Sequence, residues 1–420
     1  MLPGPQREDA EAISSASREI ARIAALPAVS EALAWLRSRE QQFVQWQLEM
    51  ARIAAPPFGE AARAEWLRDR FLELELNEVC SDSVGNVFGM RGVSAGPWVT
   101  LSAHLDTVFP AGTPLNIRQE GRRLYGPGVS DNAAGVTALL AVAGALQKVS
   151  MKHRWPILFI GNVGEEGEGD LRGMRHIFST PRWRDSIRAS VVLDGAGTDT
   201  IVAEALGSRR FEVIVRGPGG HSWSDFGAPN PILALASAVG AFSQTSLPSS
   251  PRTTFNVGVI RGGTSVNSIP ESASMRIDIR STSMQEMERL ESALRAALDA
   301  AVEQESKAAE RRVATPRRSY KLSGEVVPIG DRPAGELDAD SQLLHVIRAV
   351  DAHLGNTAQI QRASTDANIP LSLGREAIAI GAGGTGGGAH TLQEWFDCGG
   401  RDLGLKRILL TVLALAGADQ

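Results

Sequence analysis

Apolar residues recur at helical spacing near the start of the chain, where Ile13, Ile20, Ile23 and Ala24 predict a helix over about residues 8–26. Pro27 breaks it. The spacing resumes through Leu33, Leu36, Phe43, Trp46 and Met50 and stops at Ala55-Pro56-Pro57. A further helix from about Glu60 to Leu74 leads into DSVGNVFGMRG and WVTLSAHLDTV, two strand-like runs separated by a glycine-containing turn. GPGVSDNAAGVTALLAVAGALQKV then reads as a glycine-bearing loop opening a helix of small residues. Asp131 and Asn132 stand at its start, where free N–H groups and the helix dipole favour a carboxylate. The runs WPILFIGNVGEEGEG and SVVLDGAG are apolar strands that end in Glu165-Glu166 and Asp194. Strand, loop and helix alternate throughout this half, which predicts an α/β domain with a largely parallel sheet. Ligands of such sheets gather beyond the carboxyl ends of the strands.

From about Ser208 the pattern changes to strand FEVIVRG, helix NPILALASAVGAF, strands TTFNVGVIRGG and SASMRIDIRS, a charged helix from Gln285 to about Arg312, and a closing run near SYKLSGEVV. That order is βαββαβ and ferredoxin-like, and it predicts a separate, inserted α+β domain. The α/β pattern returns with helix DSQLLHVIRAVDAHLG, strand AIAIGAGG and a last helix from about Leu403 to Ala416. The expected division is residues 1–207 and 319–420 for the main domain, with residues 208–318 inserted between its two parts.

Length and charge narrow the function. A chain of 420 residues exceeds one ordinary core, in keeping with two domains. A net charge of -5 with no basic block argues against nucleic acid or an anionic membrane as partner, and no window carries the uninterrupted apolar run of a membrane span. The first residues, MLPGPQREDAEAISS, lack the basic and apolar regions of a secretory signal, so a cytoplasmic protein is expected. Cys80 and Cys398 are the only cysteines, too few for a thiolate metal cluster or a disulfide framework, and are read as packing residues.

The chemistry-bearing residues fall at the predicted strand ends. His104 and Asp106, two positions apart, emerge on one side, and Asp106 is placed to take the second imidazole N–H of a metal-ligating His104. His104, Asp131, Glu166, Asp194 and a late histidine together offer carboxylate oxygen and imidazole nitrogen without sulfur, a set suited to zinc, manganese or cobalt. Two such ions need a shared carboxylate, and a free carboxylate beside them can take a proton from water. Adjacent Glu165 and Glu166 supply that division of labour. EEGEGD read alone is a solvated acidic loop, and its place at the end of an apolar strand favours the functional reading.

SAHLDTVFP, GPGVSDNAAGV, GNVGEEGEGDLRG, VVLDGAG, RGPGGHSW, VNSIPESASMRIDIRS and GGAHTLQEW occur in one order, and through them the sequence from about Pro56 onward resembles the cocatalytic zinc metallopeptidases of the aminoacylase, carboxypeptidase G and peptidase T family. The resemblance implies a zinc-exopeptidase-like catalytic domain and an inserted lid and dimerisation domain. It implies that His104 and Asp194 hold one metal, Glu166 and His390 the other, with Asp131 bridging both. Glu165 is then the general base, Asp106 orients His104, and the Asp131-Asn132 peptide is cis. His221 in GGHSW would stabilise the oxyanion, while Asn267 and Arg280 match substrate-binding positions. Arg280 also has Asp278 within reach as an alternative partner. Asp194 sides with the aminopeptidase- and dipeptidase-like members, where carboxypeptidase-like ones carry Glu.

The expectation is therefore a di-zinc enzyme, with manganese or cobalt as alternatives, that hydrolyses an amide bond in a small peptide and forms a homodimer through the insert. An N-acyl amino acid deacylase on the same site is the nearest alternative, and a catalytically silent metal-binding scaffold the more distant one. Outside these islands, His153, His176, His345 and His353 are assigned to surface or packing roles. GAGGTGGGAH contains GxGxxG at Gly381, Gly383 and Gly386, but no βαβ unit with a later acidic residue follows, so a dinucleotide loop is rejected. Ser102, Ser130 and Ser222 lack the G-x-S-x-G setting of a nucleophile.

Overall fold

The computed structural model describes residues 5–92, 96–312 and 321–419, with side chains from Ser15 onward. Two compact units result: residues 1–205 with 335–420, and residues 206–334.

In the first unit a nine-stranded sheet carries the strands Asn77–Ser81, Val87–Arg91, Ile157–Asn162, Trp98–His104, Ile187–Leu193, Glu376–Ile380, Thr200–Ala205 and Gly335–Glu336 in that spatial order, with Gln359–Ala363 beside Thr200–Ala205. The middle is parallel, as is the pair of Gln359–Ala363 with Thr200–Ala205. Trp98–His104 runs parallel to both Ile157–Asn162 and Ile187–Leu193, and Glu376–Ile380 runs parallel to Ile187–Leu193. Val87–Arg91 is antiparallel to both of its neighbours, and the short turn at Gly85 accounts for its pairing with Asn77–Ser81. The central strands are apolar on both faces because both are covered. One face buries Leu101, Phe159 and Val191 under the helices Pro5–Ala24, Ala133–Lys148, Gln342–Leu354 and Arg401–Ala416, whose buried residues join the same core. The other buries Leu158, Ile160 and Val192 against Met174, Ile177 and Trp183. The helical run expected from Leu33 to Met50 is two helices, Pro27–Ser38 and Glu40–Ala51, separated at Arg39.

The second unit follows the predicted order. Its antiparallel sheet is Thr253–Gly262, Ser272–Ser281, Gly207–Arg216 and Ser323–Arg332. Strict alternation in SASMRIDIRS turns Ala273, Met275, Ile277 and Ile279 inward, against Leu235 and Phe242 of helix Pro231–Phe242 and Leu290 and Leu294 of helix Met284–Arg311. The division expected at 318/319 is corrected here. Ser323–Arg332 pairs with Gly207–Arg216 along its length, so the strand belongs to the inserted unit, which ends at Ala334. The expected junction itself falls outside the described residues.

Candidate metal centre

Four neighbouring parallel strands direct their carboxyl ends to one edge of the first unit. His104 is the last residue of Trp98–His104, Glu165 and Glu166 follow Ile157–Asn162, Asp194 follows Ile187–Leu193, and the loop carrying His390 follows Glu376–Ile380. Asp131 arrives from the side, just before helix Ala133–Lys148, whose first turn is capped by the Asn132 side chain accepting from the Gly135 N–H. The Asp131-Asn132 peptide is cis, as the resemblance implies.

Among the described residues the donor atoms form three overlapping groups, two of which share Asp131, while the third is His104, Glu165 and Glu166. His104 Nε2 lies 3.1 Å from Asp131 Oδ1 and 3.9 Å from Asp194 Oδ1. On the other side, His390 Nε2 lies 3.0 Å from Asp131 Oδ2 and 3.0 Å from Glu166 Oε1. Within His104, Asp131 and Asp194, and within Asp131, Glu166 and His390, one donor atom per residue falls inside 4.8 Å of every other. Asp131 Oδ1 is buried and accepts no hydrogen bond, despite the imidazole nitrogen 3.1 Å away. Carboxylate oxygens and imidazole nitrogens that converge this closely are arranged for a common third partner, and the set fits a divalent cation in each of the two groups that share Asp131.

The electrostatics agree. Burial pushes the Asp194 carboxyl up to about 7, and the charge of Asp131 pushes in the same direction. Hydrogen bonds to Asp131 and then Glu166 raise His390 to about 10. Burial opposes a charged His104, but Asp106 and Asp131 outweigh it and raise the imidazole well above its ordinary value. A bound cation would take over the role these protons play, favouring ionised carboxylates and neutral imidazoles.

Asp106 faces His104 and also serves a neighbouring loop. Its carboxylate accepts the backbone N–H of Glu165 at 3.0 Å and of Glu166 at 2.7 Å, while His104 Nδ1 lies 3.2 Å from the Asp106 carbonyl oxygen and 3.6 Å from its Oδ1. The carbonyl and the carboxylate of Asp106 both face the imidazole, and the carboxylate also fixes the loop that presents both glutamates.

Three candidates belong to the second unit. His221 is exposed on a short hairpin in which Gly220–His221 pairs with Ser268–Ile269, and Ser222 N–H donates to the Asn267 carbonyl. The backbone N–H groups of Trp223 and Ser224 donate to His221 Nδ1 at 3.2 and 3.3 Å, so the neutral ring carries its proton on Nε2. Asn267, also exposed, accepts from the Ser265 hydroxyl. Arg280 Nε donates to Asp278 Oδ2 at 2.6 Å, the alternative partner foreseen from the sequence.

Two supporting residues were missed. Arg63, fully buried, donates to the carbonyls of Ile53 and Leu105 at 2.8 and 2.9 Å, and burial lowers its pKa to about 10 against the pull of Asp106, Glu394 and Asp131. Its signal is a charge in register with Leu67 and Phe71 on the buried stripe of helix Ala61–Glu73. Glu394, also fully buried, accepts backbone N–H groups of the Asp131 loop. It stands four residues after His390, inside an island already singled out.

An α/β unit with a two-group donor centre at its strand ends, interrupted by an α+β unit, is a fold shared with solved peptidases. Aminopeptidase PepT from Bacillus cereus matches with a TM-score of 0.70 at 19% identity, over 90% of this chain and 99% of that one. The Bacillus subtilis YxeP protein, described as a dinuclear metal-binding peptidase, matches with a TM-score of 0.65 at 14% identity, over 90% of this chain and 99% of that one. Likeness at such identities shows the fold alone. In sequence, a "Probable carboxypeptidase" of Uncinocarpus reesii is 28% identical over 237 residues, 50% of this chain and 52% of that protein. The chain spans about half the length of the curated relatives it matches. Residues 100–413 match peptidase family M20/M25/M40, and the chain belongs to that family.

Proposed function

We propose that the protein is a di-metal hydrolase that cleaves an amide bond in small peptides, of the aminopeptidase or di/tripeptidase type. The observation that carries this reading is the pair of donor groups joined by Asp131, with Glu165 beside them. His104 and Asp194 would hold one cation, Glu166 and His390 the other, and Asp131 both. Zinc suits this donor set, with manganese and cobalt as alternatives. The bound cations would polarise the scissile carbonyl and make water acidic. Glu165 takes the proton from the attacking water and later gives it to the leaving amine. His221, with its proton on Nε2, donates to the developing oxyanion.

Asp194 favours substrates with a free α-amino group, and Asn267 and Arg280 would hold the C-terminal carboxylate. The carboxypeptidase descriptions of the curated relatives favour the second reading, in which a blocked or acylated amine is accepted. One matched pair separates the two. A free dipeptide should show the higher kcat/KM than its N-acetyl counterpart, measured with added zinc, manganese or cobalt, and a strong preference for the acetylated compound would place the enzyme among deacylases or carboxypeptidases.

We also infer a homodimer through the inserted unit, with His221 serving the partner's centre. Ile232 on the helix Pro231–Phe242 and Ile260 on the sheet-edge strand Thr253–Gly262 are exposed beside one groove, an apolar surface that supports this reading. No helix among the described residues is long and apolar enough to cross a membrane, and a cytoplasmic site of action is the setting inferred.

A further inference from the structure

We propose that Glu394 is the positioning residue of the centre, tying the His390 turn and the Asp131 loop together so that metal donors distant in sequence keep one fixed geometry. The inference rests on the di-metal reading above. Glu394 is 0% exposed, and a carboxylate without solvent needs several strong donors to remain there. It has three: the backbone N–H groups of Gly128 at 2.8 Å, Ser130 at 2.7 Å and Asp131 at 2.8 Å. Successive main-chain N–H groups converging on an anion form a nest, here filled by a side chain of the protein itself. The Glu394 carbonyl also accepts the Gly126 N–H at 2.9 Å, so the residue grips both ends of the segment from Gly126 to Asp131.

The same residue closes the turn that carries His390. Thr391 N–H donates to the Gly388 carbonyl at 3.1 Å, and Glu394 N–H donates to the Thr391 carbonyl at 3.2 Å. Gly388 lies at a φ of 70°, and a Cβ there would come within 3.0 Å of the Gln393 carbonyl oxygen. The turn therefore touches Asp131 twice. The imidazole of His390 meets Oδ2 at 3.0 Å, and the carboxylate of Glu394 holds the Asp131 main chain. Because Asp131 is the shared carboxylate of the two donor groups, fixing its backbone fixes the separation of the groups. Residues that orient metal ligands in this way typically carry a 10–100-fold share of metal affinity.

Glu394→Gln keeps the shape but replaces one acceptor oxygen with an amide that faces N–H donors. Titrating Mn²⁺ into the metal-free full-length protein should give two ions per chain for the natural sequence, with an exchange-coupled pair visible by electron paramagnetic resonance. The variant should bind about 10–100-fold more weakly at one site or both, and lose the coupled signal in favour of isolated ions. Glu394→Asp, which keeps the charge on a shorter arm, should fall between them, and serves as the variant if Glu394→Gln does not fold. Binding and coupling unchanged in either folded variant, with only a lower Tm, would reduce Glu394 to structural filling and overturn the proposal. Failure of the natural protein to bind two ions would instead overturn the di-metal reading on which it stands.

Discussion

Both units use backbone N–H groups to orient a functional side chain, but to opposite electrical ends. In the first, those groups are spent on the carboxylates of Asp106 and Glu394, which hold the loops of Glu165, Glu166 and Asp131. What remains facing the centre is an excess of acceptor oxygen, a surrounding that draws cations. In the second, Trp223 and Ser224 spend theirs on the imidazole of His221, and Asp225 accepts the His221 N–H at 2.8 Å. What projects there is a single Nε2–H, a surrounding that meets an anion. A hydrolase needs both, one to activate water and one to receive negative charge on the carbonyl oxygen.

The sharpest break of this comparison is inside the first unit. Glu165→Ala should lower turnover by about 10²–10⁴-fold while leaving metal content near that of the natural protein, since general acid–base groups contribute on that scale. Glu166→Ala should lose metal first, its Oε1 being 3.0 Å from His390 Nε2. Elemental analysis beside a turnover assay checks both, and metal loss on removal of Glu165 would exchange the two roles.

Breaking the other side should cost less. If His221 is the proposed oxyanion donor, His221→Ala should lower kcat about 10²–10³-fold with metal affinity unchanged. Mixing inactive Glu165→Ala and His221→Ala subunits then tests where His221 acts. If it serves the partner's centre, one site of each mixed dimer regains both groups and activity returns. Confirmed subunit exchange without recovery would leave His221 acting on its own centre or on none.

The difference between the units also explains what could be read from the sequence. His104, Glu165, Glu166 and Asp194 stood out as candidates because each follows an apolar strand, while His390 was picked out by the family resemblance. Glu394 and Arg63 were not, since their partners are main-chain groups 263–266 and 10–42 residues away, which no side-chain pattern marks. Asp106 was seen as a partner for His104, and the further bonds of its carboxylate to a neighbouring strand's loop are set by sheet order, which no local pattern marks. The insert was legible from its alternation, but its end was not. The closing run near SYKLSGEVV was read, but Ser323–Arg332 has only Val326 and Arg332 buried, so little apolar periodicity marks where the insert stops.

The smallest effect concerns Arg280, where the sequence left two partners open. Its Nε already donates to Asp278 at 2.6 Å, and the ion pair is part-exposed, with 39% of the Arg280 side chain accessible. One guanidinium donor is therefore engaged before substrate arrives, and the gain from gripping a C-terminal carboxylate should sit at the low end of a charge-assisted hydrogen bond, about 1.5 kcal/mol or roughly tenfold in kcat/KM. A double-mutant cycle isolates that term: Arg280→Ala against the natural protein, each with a free and a C-terminally amidated peptide. If Arg280 holds the carboxylate, amidation should weaken the natural protein about tenfold and leave the variant nearly indifferent. Equal penalties in both would assign Arg280 to Asp278 alone, and move carboxylate recognition to another group of the second unit.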